Sequence, residues 1–155
     1  MSGDDVLPDA VALQARITAF VRAFGLHQPD QTPCGQPVPV SEAYALAEVD
    51  RDGPMSQVEL GRRLRLEKST VSRLVRQLIG RGWVRRGTHD GDARLVWLQV
   101  TDAGRRAAAE LAAARAARFA GLLEAIPGVH RQSVIDALTL LVEAAHDQHN
   151  QRHHR

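Results

Sequence analysis

Between Ser56 and Val100 the apolar residues change period, and a glycine marks the change. Leu60 and Leu64 stand one helical turn apart. Val71, Leu74, Val75, Leu78 and Ile79 form a stripe at the spacing of a second helix. After Gly82 the pattern becomes alternation, with Leu95, Trp97 and Gln99 against Val96, Leu98 and Val100. Two short helical faces and one strand face must share a single small core. The pattern predicts two helices joined by a tight turn, followed by a hairpin.

Local chemistry supports each boundary. Ser56-Gln57-Val58-Glu59 reads as a capping box, in which the serine accepts from the backbone at Glu59 and the glutamate reaches back. Gly61 costs a helix about 1 kcal/mol relative to alanine, so close approach by another helix is expected there. Arg65, Leu66 and Glu67 make the turn, with Leu66 as a plug between the helices. Gly82 takes the usual place of glycine just past a helix. The polar run His89-Asp90-Gly91-Asp92-Ala93, with its Asp-Gly pair, is the expected hairpin tip.

The flanks are helical. A first helix is predicted over about Asp9–Phe24, where Leu13, Ile17, Phe20, Val21 and Phe24 share a face. Four prolines between Pro29 and Pro39 then exclude a long helix. Ser41 is the expected cap of a short helix that ends at Asp52-Gly53-Pro54. Thr101 caps a long helix that stops at Pro127-Gly128, and a last helix covers about His130–His146 before a polar, frayed tail. The expected architecture is mainly α with a small β-wing, in one domain of 155 residues. A winged helix-turn-helix over about 41–100 is flanked by helices at about 9–24 and 101–147. The apolar faces of these flanks exceed what the middle can cover, which predicts a homodimer.

The net charge of +2 hides a strong asymmetry. Residues 1–60 carry 3 basic and 9 acidic groups, residues 61–94 carry 10 and 3, and residues 95–155 carry 7 and 6. The positive field is thus confined to the helix–turn–helix and hairpin, as binding to a polyanion requires. The outward positions of the second helix are Lys68, Ser69, Thr70, Ser72, Arg73, Arg76 and Gln77, and no carboxylate occurs from Lys68 to Arg81. Hydroxyls, amides and guanidinium groups are the chemistry that meets base edges and phosphates in a major groove. Arg85, Arg86 and Arg94 are placed on the hairpin, where an arginine suits an adjacent minor groove. A winged helix used for protein interaction would instead present an apolar or acidic face there, which keeps that reading as the alternative.

Other classes find little support. No nucleophile elbow, phosphate-cradling glycine loop or metal-spaced ligand set occurs, which argues against an enzyme; no cofactor or metal is expected. His146, His149 and His153 fall on one helical face, but without cysteine or firm carboxylate partners. The acidic start lacks a signal-peptide pattern, and no apolar run is long enough to span a membrane. A single cysteine, Cys34, fits a reducing cytoplasm. As the only thiol it is also a candidate redox sensor, although no basic residue adjoins it.

The stretch LGRRLRLEKSTVSRLVRQLIGRGWVRR, followed by DGDARLVWLQVTDAGRR, resembles the MarR family of bacterial regulators. The resemblance implies a homodimeric repressor that reads a pseudo-palindromic operator in double-stranded DNA. It implies a recognition helix bearing Ser69, Thr70, Ser72, Arg73 and Arg76. The family's wing usually reads Asp-Arg-Arg, where this chain has Asp92-Ala93-Arg94. Asp92 would then orient a local arginine and Arg94 would enter the groove, with no second arginine at Ala93. Many members respond to small aromatic ligands, for which Phe24, Tyr44 and Trp83 are candidate lining residues.

Overall fold

A computed structural model describes residues 3–89 and 92–153. The elements run α1 (Gly3–Phe24), α2 (Val40–Asp52), α3 (Gln57–Leu64), α4 (Lys68–Gly80), β1 (Val84–His89), β2 (Asp92–Val100), α5 (Asp102–Ala125), a short 3-10 turn (Gly128–His130) and α6 (Arg131–His153). The architecture is mainly helical with a two-stranded antiparallel wing, as the change of period predicts. The chain divides into two compact units, residues 1–115 and 116–155.

In the first unit, α2, α3, α4 and the wing enclose one core. Leu46, Val49, Leu60, Val71, Val75, Leu78, Val84 and Leu98 are fully buried in it. Gly61 lies where α3 meets α4: a Cβ there would stand 3.1 Å from Val71 Cγ2 and 3.3 Å from the Leu66 carbonyl oxygen. Close approach of the two helices is therefore what the glycine permits. Leu66 packs against the core from the turn, where Arg65 takes a left-handed conformation with φ 54°.

The end of α4 is fixed by main-chain bonds. Gly82 N–H donates to the Ile79 carbonyl at 2.9 Å and Trp83 N–H to Leu78 at 3.0 Å. That pairing needs a left-handed residue at position 82, and glycine adopts its φ of +73° without a Cβ penalty. Thr101 then ties the wing to α5. Its hydroxyl accepts from Gly104 N–H at 3.0 Å and donates to the Gly82 carbonyl at 2.6 Å. The base of the wing gains a third partner, because Met55 and Leu98 exchange two main-chain hydrogen bonds of 3.2 and 2.8 Å.

Several boundaries depart from the sequence reading. The first helix begins at Gly3 rather than near Asp9, since acidic residues at positions 4 and 5 suit the positive end of a helix. Pro39, not Ser41, occupies the cap position of α2, and no side chain caps that end. The last helix runs to His153 rather than fraying near His146, because no proline or glycine follows Gly128 to stop it. The hairpin strands also reach further, leaving only residues 90 and 91 between them. Those two tip residues lie outside the described ones.

Apolar residues remain exposed on the terminal helices. On α1 these are Leu7, Val11, Leu13, Ile17 and Phe20. In the second unit, α6 exposes Ile135, Leu138, Leu140 and Val142.

Candidate nucleic-acid interface

The stripe that buries Val71, Leu74, Val75 and Leu78 turns the opposite face of α4 to solvent. Lys68, Ser69, Arg73, Arg76 and Gln77 are exposed on it, and Thr70 and Ser72 are half-buried. Ile79, placed on the apolar stripe by its spacing, stands at the exposed margin.

Strand parity decides where the wing arginines go. Arg86 pairs with Leu98 and Val84 with Val100, while Arg85 pairs with Gln99. Directly opposed residues share a face, so Arg86 projects on the side of the buried Val84 and Leu98. There its Nη2 donates to Gln57 Oε1 on α3 at 3.4 Å. Gln57 Nε2 in turn donates to Ser72 Oγ on α4 at 3.2 Å. One amide thus links the wing, α3 and the outward face of α4. Gln57 was not singled out by the sequence, because nothing in its position at the start of α3 shows what its side chain meets. Asp92 and Arg94 belong to β2, but their side chains lie outside the described residues.

The basic segment is less uniformly available than its count suggests. Arg62 and Arg63 both bind Glu59, at 2.6 and 2.7 Å, and Arg63 reaches Glu48 at 3.4 Å and Asp52 as well. Arg81 binds the buried Glu42 at 2.6 Å and lies over the Trp83 ring, 5.0 Å from its centroid. Arg63 braces α2 to α3 and Arg81 braces α2 to the end of α4, while the Arg62–Glu59 pair lies within α3. Among the described residues of this segment, the exposed positive charge outside these ion pairs is that of Arg65, Lys68, Arg73, Arg76, Arg85 and Arg86.

Ser56 caps α3, accepting from Glu59 N–H at 3.1 Å. Only half of the expected capping box forms, because the Glu59 carboxylate turns to Arg62 and Arg63 instead of reaching back. Their hydrogen bonds, Arg62 first and Arg63 second, hold the Glu59 carboxyl down at about 2. A folded value below the unfolded one, about 4.3, means a contribution to stability that is full above the unfolded value. It is lost as pH falls through about 2. Glu59→Gln is therefore expected to lower the urea midpoint at pH 7, with the difference from wild type closing as pH approaches 2. A difference that stays constant across that range contradicts the assignment.

The remaining candidates have ordinary surroundings. Cys34 is half-buried in the loop before α2, its Sγ 2.8 Å from Thr32 Oγ1. Phe24 is buried and stacks on Phe20 with centroids 5.2 Å apart, Tyr44 is half-exposed under Arg115, and Trp83 lies under Arg81.

Residues 36–95, which hold α2 to the start of β2, match the MarR family. This segment is similar to the MarR-family winged helix. Solved structures with the same fold cover nearly the whole chain. A probable transcriptional regulator from Pseudomonas aeruginosa is 23% identical, with a TM-score of 0.68 over 87% of this chain and 98% of its own. A MarR family protein from Bacillus stearothermophilus is 20% identical, with a TM-score of 0.68 over 94% and 99%. FabT of Streptococcus pneumoniae, solved in complex with DNA, is 15% identical, with a TM-score of 0.65 over 93% and 96%. At these identities the likeness establishes the fold. No curated protein matches the sequence. The MarR-type segment contains α3, α4 and β1, and hence Gln57, the exposed face of α4 and Arg86. Among the described residues no helix is long and apolar enough to cross a membrane.

Proposed function

We propose that this chain is a DNA-binding transcriptional regulator, acting in the cytoplasm as a homodimeric repressor on a pseudo-palindromic operator. The observation that carries the reading is the outward face of α4, where Lys68, Ser69, Arg73 and Arg76 stand exposed without a carboxylate between Lys68 and Arg81. Arg86 adds charge from the wing. FabT and the Staphylococcus aureus protein MepR share the fold and were solved with DNA, which supports the same use here. In this reading α4 enters the major groove, Ser69, Thr70, Ser72, Arg73 and Arg76 face bases or phosphates, and Lys68, Arg86 and Arg94 add contacts around them. Asp92 orients the wing arginine. A second copy covers the exposed apolar residues of α1 and α6 and sets two recognition helices about one helical turn apart. A small aromatic effector that loosens this arrangement completes the regulator.

The test is salt-dependent binding to fragments selected from genomic DNA. Each phosphate contact adds about 0.9 to the slope of log affinity against log salt. Arg73→Ala combined with Arg76→Ala should reduce that slope by about 1–2 and weaken binding at least tenfold. Arg73→Ala alone should change preference at one base pair if its contact is bidentate. Wild-type protein without salt-sensitive binding overturns the proposal. Light scattering at micromolar concentration should give the mass of two chains; a monomer removes the palindrome from the reading.

A further inference from the structure

The two ends of the Gln57 amide differ in what they can do: the oxygen accepts and the nitrogen donates. Arg86 offers only donors, so the oxygen must face it, as the 3.4 Å contact from Arg86 Nη2 shows. The amide nitrogen is thereby turned to Ser72 Oγ, 3.2 Å away. The serine oxygen accepts that bond, so its own proton must point elsewhere. Among the described residues it meets no acceptor. Ser72 is half-buried, on the second turn of α4 between the exposed Ser69 and Arg76.

We infer that Gln57 is a positioning residue that makes Ser72 a hydrogen-bond donor toward DNA, so that one base in each half-site is read by its acceptor edge. This rests on the function proposed above. Guanine, through N7 or O6, thymine, through O4, and adenine, through N7, satisfy a lone donor there; adenine also offers its N6 amino donor, so guanine and thymine are the bases that depend on this polarity. Cytosine presents an amino donor and is disfavoured. Arg86 acts through the same amide, by deciding which way it faces. The recognition helix and the wing thus share one polarity, passed across α3 by a single side chain.

Replacing Gln57 with glutamate reverses the polarity without removing the contacts. A carboxylate only accepts, so it keeps Arg86 and requires the Ser72 proton, leaving the serine lone pairs outward. The variant should fold, because an acidic residue suits the first turn of α3. The experiment selects binding sites from random duplexes with full-length wild type, Ser72→Ala, Gln57→Glu and Gln57→Ala. Ser72→Ala should relax one base pair per half-site. Gln57→Glu should move that same pair from guanine or thymine toward cytosine, by on the order of fivefold, the worth of one hydrogen bond. Gln57→Ala frees the serine rotor and should relax the pair with no new preference, which a merely structural role would not produce at one position. If wild type selects a motif that Gln57→Glu and Gln57→Ala leave unchanged, or that Ser72→Ala does not relax, the inference is overturned while the regulator reading stands. If wild type selects no motif, both fall together.

Discussion

Gly104→Ala is expected to destabilise the first unit by about 3 kcal/mol or more, a large effect for one methyl group. Gly104 sits at the start of α5, where its N–H donates to the Thr101 hydroxyl. A Cβ at this position would overlap the carbonyl oxygen of Trp83, standing 2.8 Å from the carbonyl carbon and 2.9 Å from Val100 Cγ2. The obstacle is main chain, and that main chain is already engaged: the same Trp83 carbonyl accepts from Thr101 N–H at 2.9 Å. Relief therefore requires α5 to move off the root of the wing, breaking the threonine cap or the bond behind it. Thermal unfolding at matched protein concentration should show a fall on the order of 10 °C. A fall under about 2 °C would mean that α5 can shift freely against the wing.

Arg81→Ala is expected to cost about 2–3 kcal/mol, at or below the lower end for breaking a buried pair because the guanidinium is partly exposed. Glu42 is only 2% exposed, and Arg81 is the cation that binds it, at 2.6 Å. Truncation leaves a buried carboxylate without its partner and removes the cation from the Trp83 ring. The double variant Glu42→Leu with Arg81→Ala removes both charges. It should recover much of the loss, since an apolar replacement of similar size leaves nothing uncompensated. Equal unfolding midpoints for the single and double variants would show that packing of the arginine stem, not the charge pair, carries the effect.

The parts of this fold that could be read from the sequence are those set by neighbours in the chain. Ser56, Gly82 and Thr101 act within a few residues of themselves, and each takes the role its type and place imply. Gly61 was informative because glycine inside a helix needs a tertiary reason, and Val71 is that reason. The outward face of α4 followed from the apolar stripe on the other side. What could not be read were pairings between distant residues. The Met55–Leu98 bridge is made by main-chain groups and leaves no mark on residue type. The charge count treated Arg62, Arg63 and Arg81 as part of the interface, whereas carboxylates on α2 and α3 hold them. Arg86 and Arg85 look equivalent until the register places one beside α3 and the other on the opposite face. Ser41 lost its expected cap role to Pro39 because helix geometry already begins at Val40.

The Met55–Leu98 bridge adds a main-chain mounting for the wing to the one made by the buried side chains of Val84 and Leu98. The hairpin is joined covalently through Trp83 and fastened again by two backbone bonds at Leu98, both indifferent to side-chain identity. Residues farther out on the strands, and those on the open face of α4, can thus be exchanged without unseating the frame that presents them. In the DNA-binding regulator proposed above, such a scaffold would let the recognised sequence drift, one exposed residue at a time, at little risk to the fold.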